Sequence, residues 1–157
     1  MAVIQCIRYE KLEERFSTDI FTEGMLRGKL GINAIESTKS LYDLVVLDSM
    51  GTEKRLAESL EREEDVEVYT KLPSGFYINT PMGRYNPDWA VAFREGSVKH
   101  IYFVAESKGN DLKDSELRDV EKNKIACAAR HFKAISGGGY IYGVATDYKS
   151  LYDLVTK

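Results

Sequence analysis

The chain has 157 residues, 43% of them hydrophobic, and a formal net charge of −3. That length supports one self-sufficient core, and the composition excludes a disordered or low-complexity chain. No apolar run approaches the ~20 residues of a membrane span and no signal-peptide pattern opens the chain, so a cytoplasmic protein without a membrane partner is expected.

In chain order, Val3 to Tyr9 reads as a strand, Asp19 to Lys29 is ambiguous, and Gly31 to Ser40 reads as a loop. Thr52 to Glu61 reads as a helix, with Ser49 or Thr52 as its cap. Its apolar positions are Leu56, Ala57 and Leu60. Glu53 lies three, four and seven residues before them and so shares their inward stripe, whereas Glu58 and Glu61 fall on the solvated side. An inward acid is costly unless paired or metal-bound, which makes Glu53 a candidate metal ligand. A first-turn acid that complements the helix dipole is an equal alternative. Val66 to Lys71 follows as a strand, Leu72-Pro73-Ser74-Gly75 breaks it, Phe76 to Asn79 is extended, and Pro81 and Gly83 mark a turn.

Two runs rich in β-branched and aromatic residues come next, Tyr85 to Phe93 and Lys99 to Lys108, separated by Arg94-Glu95-Gly96-Ser97. They read as an antiparallel hairpin. Folding it about Ser97 sets Asp88 opposite Glu106, with Cβ atoms roughly 5 Å apart on one face. Two carboxylates that close call for a cation between them, and a Mg²⁺ ion that keeps several waters meets the need. Lys108 falls on the same face by the strand period of two. An acid pair, a cation and an ammonium at one sheet edge suit attack of water on a phosphodiester. Taken alone, acids and a lysine on a strand are also what an ordinary solvated face carries.

Gly109 to Asp114 is a polar loop placed to touch DNA. Ser115 to Ile135 reads as a long helix stopped by Gly137-Gly138-Gly139. Leu117, Val120, Ile125, Ala128, Phe132 and Ile135 form its core stripe, with Glu121 and Lys124 within or beside it. Past Glu121 the helix carries Lys122, Lys124, Arg130 and Lys133 and no acid. That pattern fits a phosphate-binding surface, or a basic end that complements the helix dipole. Lys122, Lys124 and Arg130, with Arg84 ahead of the hairpin, are the candidate DNA contacts. Tyr140 to Thr146 reads as a strand and Lys149 to Thr156 as a final helix, giving an α/β fold with a mixed sheet flanked by helices. Lys39 to Val45 recurs word for word as Lys149 to Val155.

The runs Tyr42 to Ser49, Thr80-Pro81-Met82-Gly83-Arg84-Tyr85-Asn86-Pro87-Asp88-Trp89-Ala90, Tyr102 to Gly109, and Leu117-Arg118 through Glu121, Lys124-Ile125 and His131-Phe132 resemble the C-terminal endonuclease domain of type III restriction enzymes. That domain belongs to the PD-(D/E)xK nuclease superfamily. The resemblance implies a restriction-endonuclease-like fold and a Mg²⁺-dependent double-strand DNA endonuclease, with Mn²⁺ as a substitute. It implies that Asp88, Glu106 and the helix acid Glu53 support the metal, completed by the Ser107 carbonyl. Lys108 would orient or activate the water, while Lys124 and Glu121 serve phosphate contact and the fixing of Lys108. Products would carry 5′-phosphate and 3′-hydroxyl ends. The helicase-like ATPase motor and the methyltransferase subunit of such an enzyme are the implied partners.

No phosphate loop of the GxxxxGK[ST] kind is present, Gly24 to Leu30 coming nearest with wrong spacing, so no ATP site is expected. The chain is therefore read as one endonuclease domain over 1–157, either excised from a longer enzyme, the preferred reading, or a free-standing relative, with an extension at 1–41, a nuclease core at 42–148 and a terminal helix at 149–157. Cys6 and Cys127 lack Cys-x-x-Cys spacing and read as reduced, Cys127 as helix core. With only His100 and His131, a zinc site or a histidine-based hydrolase is disfavoured, and His131 reads as a packed, hydrogen-bonded residue. Residues 1–68 hold 9 basic and 15 acidic side chains and residues 69–157 hold 13 and 10, so the site half is mildly basic. Such a domain should bind DNA weakly and depend on a neighbouring module. A non-catalytic DNA- or protein-docking module on the same fold is the alternative.

Overall fold

The computed structural model describes residues 8–10, 18–21, 28–94, 96, 101–105, 115–136 and 140–156. Cys6, His100, the loop at 109–114 and most of the expected strand at 3–9 lie outside the described residues. Two strands, β1 (Ala34–Glu36) and β2 (Leu44–Val46), form an antiparallel pair with Ala34 opposite Val46. β1 falls inside the stretch expected to be a loop. Three residues between turns carry too little periodicity to read, and Ala34 becomes fully buried only through tertiary packing.

Helix α1 (Thr52–Arg62) follows, then β3 (Val66–Lys71), the hairpin strands β4 (Ile78–Thr80) and β5 (Gly83–Tyr85), and β6 (Trp89–Phe93). β7 (Ile101–Ala105), helix α2 (Ser115–Ile135), β8 (Tyr140–Val144) and helix α3 (Tyr148–Val155) complete the chain. The main sheet has the order β3-β6-β7-β8, antiparallel until β7 meets β8 in parallel. A parallel pair needs a crossover, and α2 supplies it.

Alternation along β6 separates two cores. Trp89, Val91 and Phe93 point to the face packed by Leu56 and Leu60 of α1 and by Leu151 and Val155 of α3. The opposite face meets α2 through Ala128, Phe132 and Ile125, together with Ile78, Tyr85, Tyr142 and Val144. Phe132 stacks on Tyr142 with ring centroids 5.4 Å apart. Burial of each such large side chain contributes about 2–3 kcal/mol.

The expected stripe of α2 holds from Ile125 onward, but Val120 is 40% exposed, because the core cluster engages the helix only from that point. Cys127 is free and fully buried, as expected. His131 packs edge-on against Tyr9, with ring centroids 5.0 Å apart. It is not hydrogen-bonded through Nδ1, which has no partner among the described residues, and burial lowers its pKa.

Neither Ser49 nor Thr52 caps α1; the cap is Gly51, without a side-chain bond. Glu58 is half-buried rather than openly solvated and lies 3.7 Å from Lys54. Glu61, also expected to be solvated, is instead an anchor. Its Oε2 accepts hydrogen bonds from Ser37 Oγ (2.6 Å) and Tyr69 OH (3.1 Å). Its Oε1 accepts from the Thr38 amide (2.7 Å) and hydroxyl (2.6 Å). Partial burial alone would raise the Glu61 pKa, but these hydrogen bonds outweigh it and bring it from 4.5 to about 2.

Because the folded value is depressed, this stabilisation is present above pH 4.5 and is lost as pH falls toward 2. Glu61→Gln should lower Tm at neutral pH by roughly 2–4 °C, and thermal melts should show the gap from the parent closing toward pH 2. At the other end of the chain, Asp147 Oδ1 accepts the Ser150 amide at 2.8 Å and the Ser150 hydroxyl faces the Asp147 amide at 3.2 Å, forming a capping box for α3. Asp147→Ala should cost about 1 kcal/mol by chemical denaturation, with hydrogen exchange rising first in α3.

Candidate active site

The β3–β6–β7 register brings three strand ends together. Lys71 ends β3 opposite Trp89, which opens β6 opposite Val104 near the end of β7. Asp88 stands just before β6, and its carbonyl accepts the Leu72 amide at 2.8 Å. The backbone that carries it is held from both sides. Asn86 Nδ2 donates to the carbonyls of Pro73 (3.2 Å), Phe76 (2.5 Å) and Pro87 (3.2 Å). Pro87 is fully buried, and its ring fixes φ where the chain enters the strand.

The hairpin register differs from the expected one. Trp89 pairs with Val104 and Ala92 with Ile101, so the turn centres between Gly96 and Ser97 rather than on Ser97. Gly96 adopts φ +106°, a conformation suited to glycine, and the turn closes around it. Continued by alternation, this register sets Asp88 opposite Ala105, one residue short of Glu106. The expected symmetry about Ser97 is thereby corrected, while the expected pairing of Asp88 with Glu106 itself lies outside the described residues. Glu106, Ser107 and Lys108 themselves lie outside the described residues.

Asp88 shares its face with Ala90, the α2 side of the sheet. There the hydroxyls of Tyr85 and Tyr142 lie 2.7 Å apart. Burial raises both phenol pKa values above the ordinary range, and the nearby charges of Asp88 and Glu121 push them further. Asp88 and Glu121 are therefore brought to one hydroxyl pair from different elements. Lys124, one turn beyond Glu121, is half-buried, and Lys122 is exposed, 4.0 Å from Asp119. Arg130 is half-buried. Arg84, on the outer face of β5, stacks over the Tyr77 ring at 4.2 Å, a cation–π contact that orients its guanidinium.

Glu53 projects from α1 onto the other face and is 2% exposed, as its place in the apolar stripe requires. Its Oε2 accepts the amides of Asp48 (2.7 Å) and Ser49 (3.0 Å). Its Oε1 accepts Lys71 Nζ at 2.9 Å, and the same ammonium lies 2.6 Å from Asp48 Oδ2. Burial alone would lower the Lys71 pKa, but the hydrogen bonds and charges of Asp48 and Glu53 outweigh it and raise it. Removing either partner of a pair this enclosed leaves an uncompensated charge, at a cost of about 3–5 kcal/mol.

Sequence reading missed Lys71, Asp48 and the two tyrosines. The signal for Lys71 was its position two residues after Tyr69, which puts both on the strand face that α1 covers. Among the described residues no group of three His, Cys, Asp or Glu side chains is gathered closely enough to hold a metal ion. Of the three acids expected to converge, Glu53 stands on one face of the sheet end and Asp88 on the other, while Glu106 lies outside the described residues. A hollow of about 340 Å³ lined by Glu36, Ser37, Thr38, Asp43, Leu44 and Glu61 lies at the β1–β2 hairpin, remote from Asp88. It surrounds the Glu61 anchor and has no part in this site.

No helix among the described residues is long and apolar enough to cross a membrane. No curated protein and no solved structure gave a significant match to the chain. A family model described as "Endonuclease domain" matches residues 38–153, which takes in α1, the main sheet, α2 and most of α3. With that span and a mixed α/β sheet flanked by helices, the chain belongs to the endonuclease-domain family, of restriction-endonuclease-like fold.

Proposed function

We propose that the chain is the Mg²⁺-dependent double-strand DNA endonuclease domain of a type III restriction enzyme. The observation that carries this reading is the family membership, joined to an Asp88 braced by Asn86 and Pro87 at the sheet end. The string Pro87-Asp88 with Glu106-Ser107-Lys108 supports the finer assignment to the PD-(D/E)xK type. A single domain over 1–157, cytoplasmic and working beside a helicase-like motor and a methyltransferase subunit, completes the proposal.

The donor chemistry fits a hard divalent ion, since the groups that act with Asp88 on one hydroxyl pair are the Glu121 carboxylate and the Tyr85 and Tyr142 oxygens. Asp88, with Glu106 and the Ser107 carbonyl drawn from the sequence, would hold Mg²⁺. Bound there, the ion would supply a water of lowered pKa and neutralise charge on the scissile phosphate. Lys108 would orient the attacking water and stabilise the charge that develops on the phosphate oxygens. Glu121, which acts with Asp88 on the Tyr85–Tyr142 pair, would keep Lys108 directed, while Lys124, Lys122, Arg130 and Arg84 would hold the flanking backbone.

Asp88→Ala and Lys108→Ala should each reduce nicking of supercoiled plasmid with Mg²⁺ by at least about 100-fold. Cleavage at parental rates in both variants would falsify the assignment. Calorimetry supplies the metal arm: Mn²⁺ affinity should fall in Asp88→Ala and stay unchanged in Lys108→Ala. Arg84→Gln and Lys124→Ala should weaken DNA binding uniformly across sequences. Each should also flatten the dependence of affinity on salt by about one unit of slope in fluorescence anisotropy titrations.

A further inference from the structure

Lys71 is 17% exposed at its side chain, and both of its described partners are carboxylates, Asp48 at 2.6 Å and Glu53 at 2.9 Å. The register with Trp89 and the bond from the Leu72 amide to the Asp88 carbonyl tie this ammonium to the strand end that carries Asp88. Glu53 has no idle oxygen, since two backbone amides occupy Oε2 and Lys71 occupies Oε1. A Mg²⁺ ligand must approach to about 2.0–2.1 Å with its lone pair free. An ammonium already on that oxygen repels the incoming ion and takes one of the oxygen's two lone pairs. Asp48, 79% exposed, is the softer partner and moves more readily than Glu53, which is 3% exposed at its side chain.

We propose that Lys71 is the resident cation of the helix acid. It holds Glu53 in place and competes with a divalent ion for Glu53 Oε1, and so keeps this acid, on the face of the sheet end opposite Asp88, from taking up metal. Lys71 is thus a positioning residue, acting through Glu53. The proposal rests on the nuclease reading of this sheet end, and the experiment separates the two.

Mn²⁺ is titrated by calorimetry into the parent chain, Lys71→Met, Lys71→Arg, Lys71→Met with Glu53→Gln, and Lys71→Met with Asp88→Ala. Lys71→Met should bind Mn²⁺ at least about tenfold more tightly, within the usual range for coupled sites. Lys71→Arg should keep the parental affinity, and adding Glu53→Gln should erase the gain. Unchanged or weaker binding in Lys71→Met overturns the proposal, as does the absence of binding in every protein or a gain that survives Glu53→Gln. If Lys71→Met does not fold, Lys71→Gln, which keeps a donor without the charge, is judged by the same criteria. A gain that survives Asp88→Ala leaves the role of Lys71 standing and removes Asp88 as a ligand. Loss of all binding in the Asp88→Ala background with no gain in Lys71→Met removes Lys71 alone.

Discussion

Helix α1 is fastened to strand β3 by two acids, and the rest of the fold is built against that joint. Glu61 takes the Tyr69 hydroxyl near one end of the helix, and Glu53 takes Lys71 at the other. The partners are two residues apart on the strand and eight on the helix, which fixes α1 antiparallel to β3. Between the two clamps lie Leu56, Ala57 and Leu60, all at most 1% exposed, against Trp89 and Val91. Apolar burial supplies the bulk of the stabilisation, but it is non-directional. The charged and hydroxyl contacts fix the register of helix on strand, and with it the position of the acid at the sheet end.

From that joint the sheet extends through β6 and β7 to β8, and each strand delivers its end residue to the same side. Asp88 arrives by a different device from Glu53. Its backbone is braced by an asparagine amide that spans to three carbonyls and by a buried proline, while its charge faces the tyrosine pair and Glu121. One acid is paired with an ammonium within the protein; the other acts with a second acid on one hydroxyl pair. That difference in electrostatic environment is the main chemical feature of the described site.

Much of this architecture was legible in the sequence, and the failures have particular causes. The bounds of β3 and α2 follow from strong periodicity with clear stops, and Glu53 was read correctly as an inward acid because it keeps the spacing of Leu56, Ala57 and Leu60. The hairpin itself was legible, but its register was missed by one residue, because symmetry about Ser97 ignores the positive φ that Gly96 takes. Glu61 was misread because its partners Ser37 and Thr38 lie more than twenty residues away, beyond any local pattern. The repeated heptapeptide shows the limit of local reading most sharply. Leu44 and Val45 of the first copy enter a strand, while Leu154 and Val155 of the second finish a helix. The second copy is preceded by Asp147, which caps it; the first follows Ser37 and Thr38, which Glu61 anchors by hydrogen bonds. Flanking residues and tertiary contacts, not the seven residues themselves, choose between the two states.

The separation of the two acids has a steric corollary. Glu53 and Asp88 stand on opposite sides of one β-layer, so no molecule resting flat on either broad surface can meet both. Whatever touches the pair must straddle the rim, entering along the strand axis with α1 on one flank and α2 on the other. A rod-like polymer would therefore be gripped across its width by the end of the layer, as a wedge meets a cylinder.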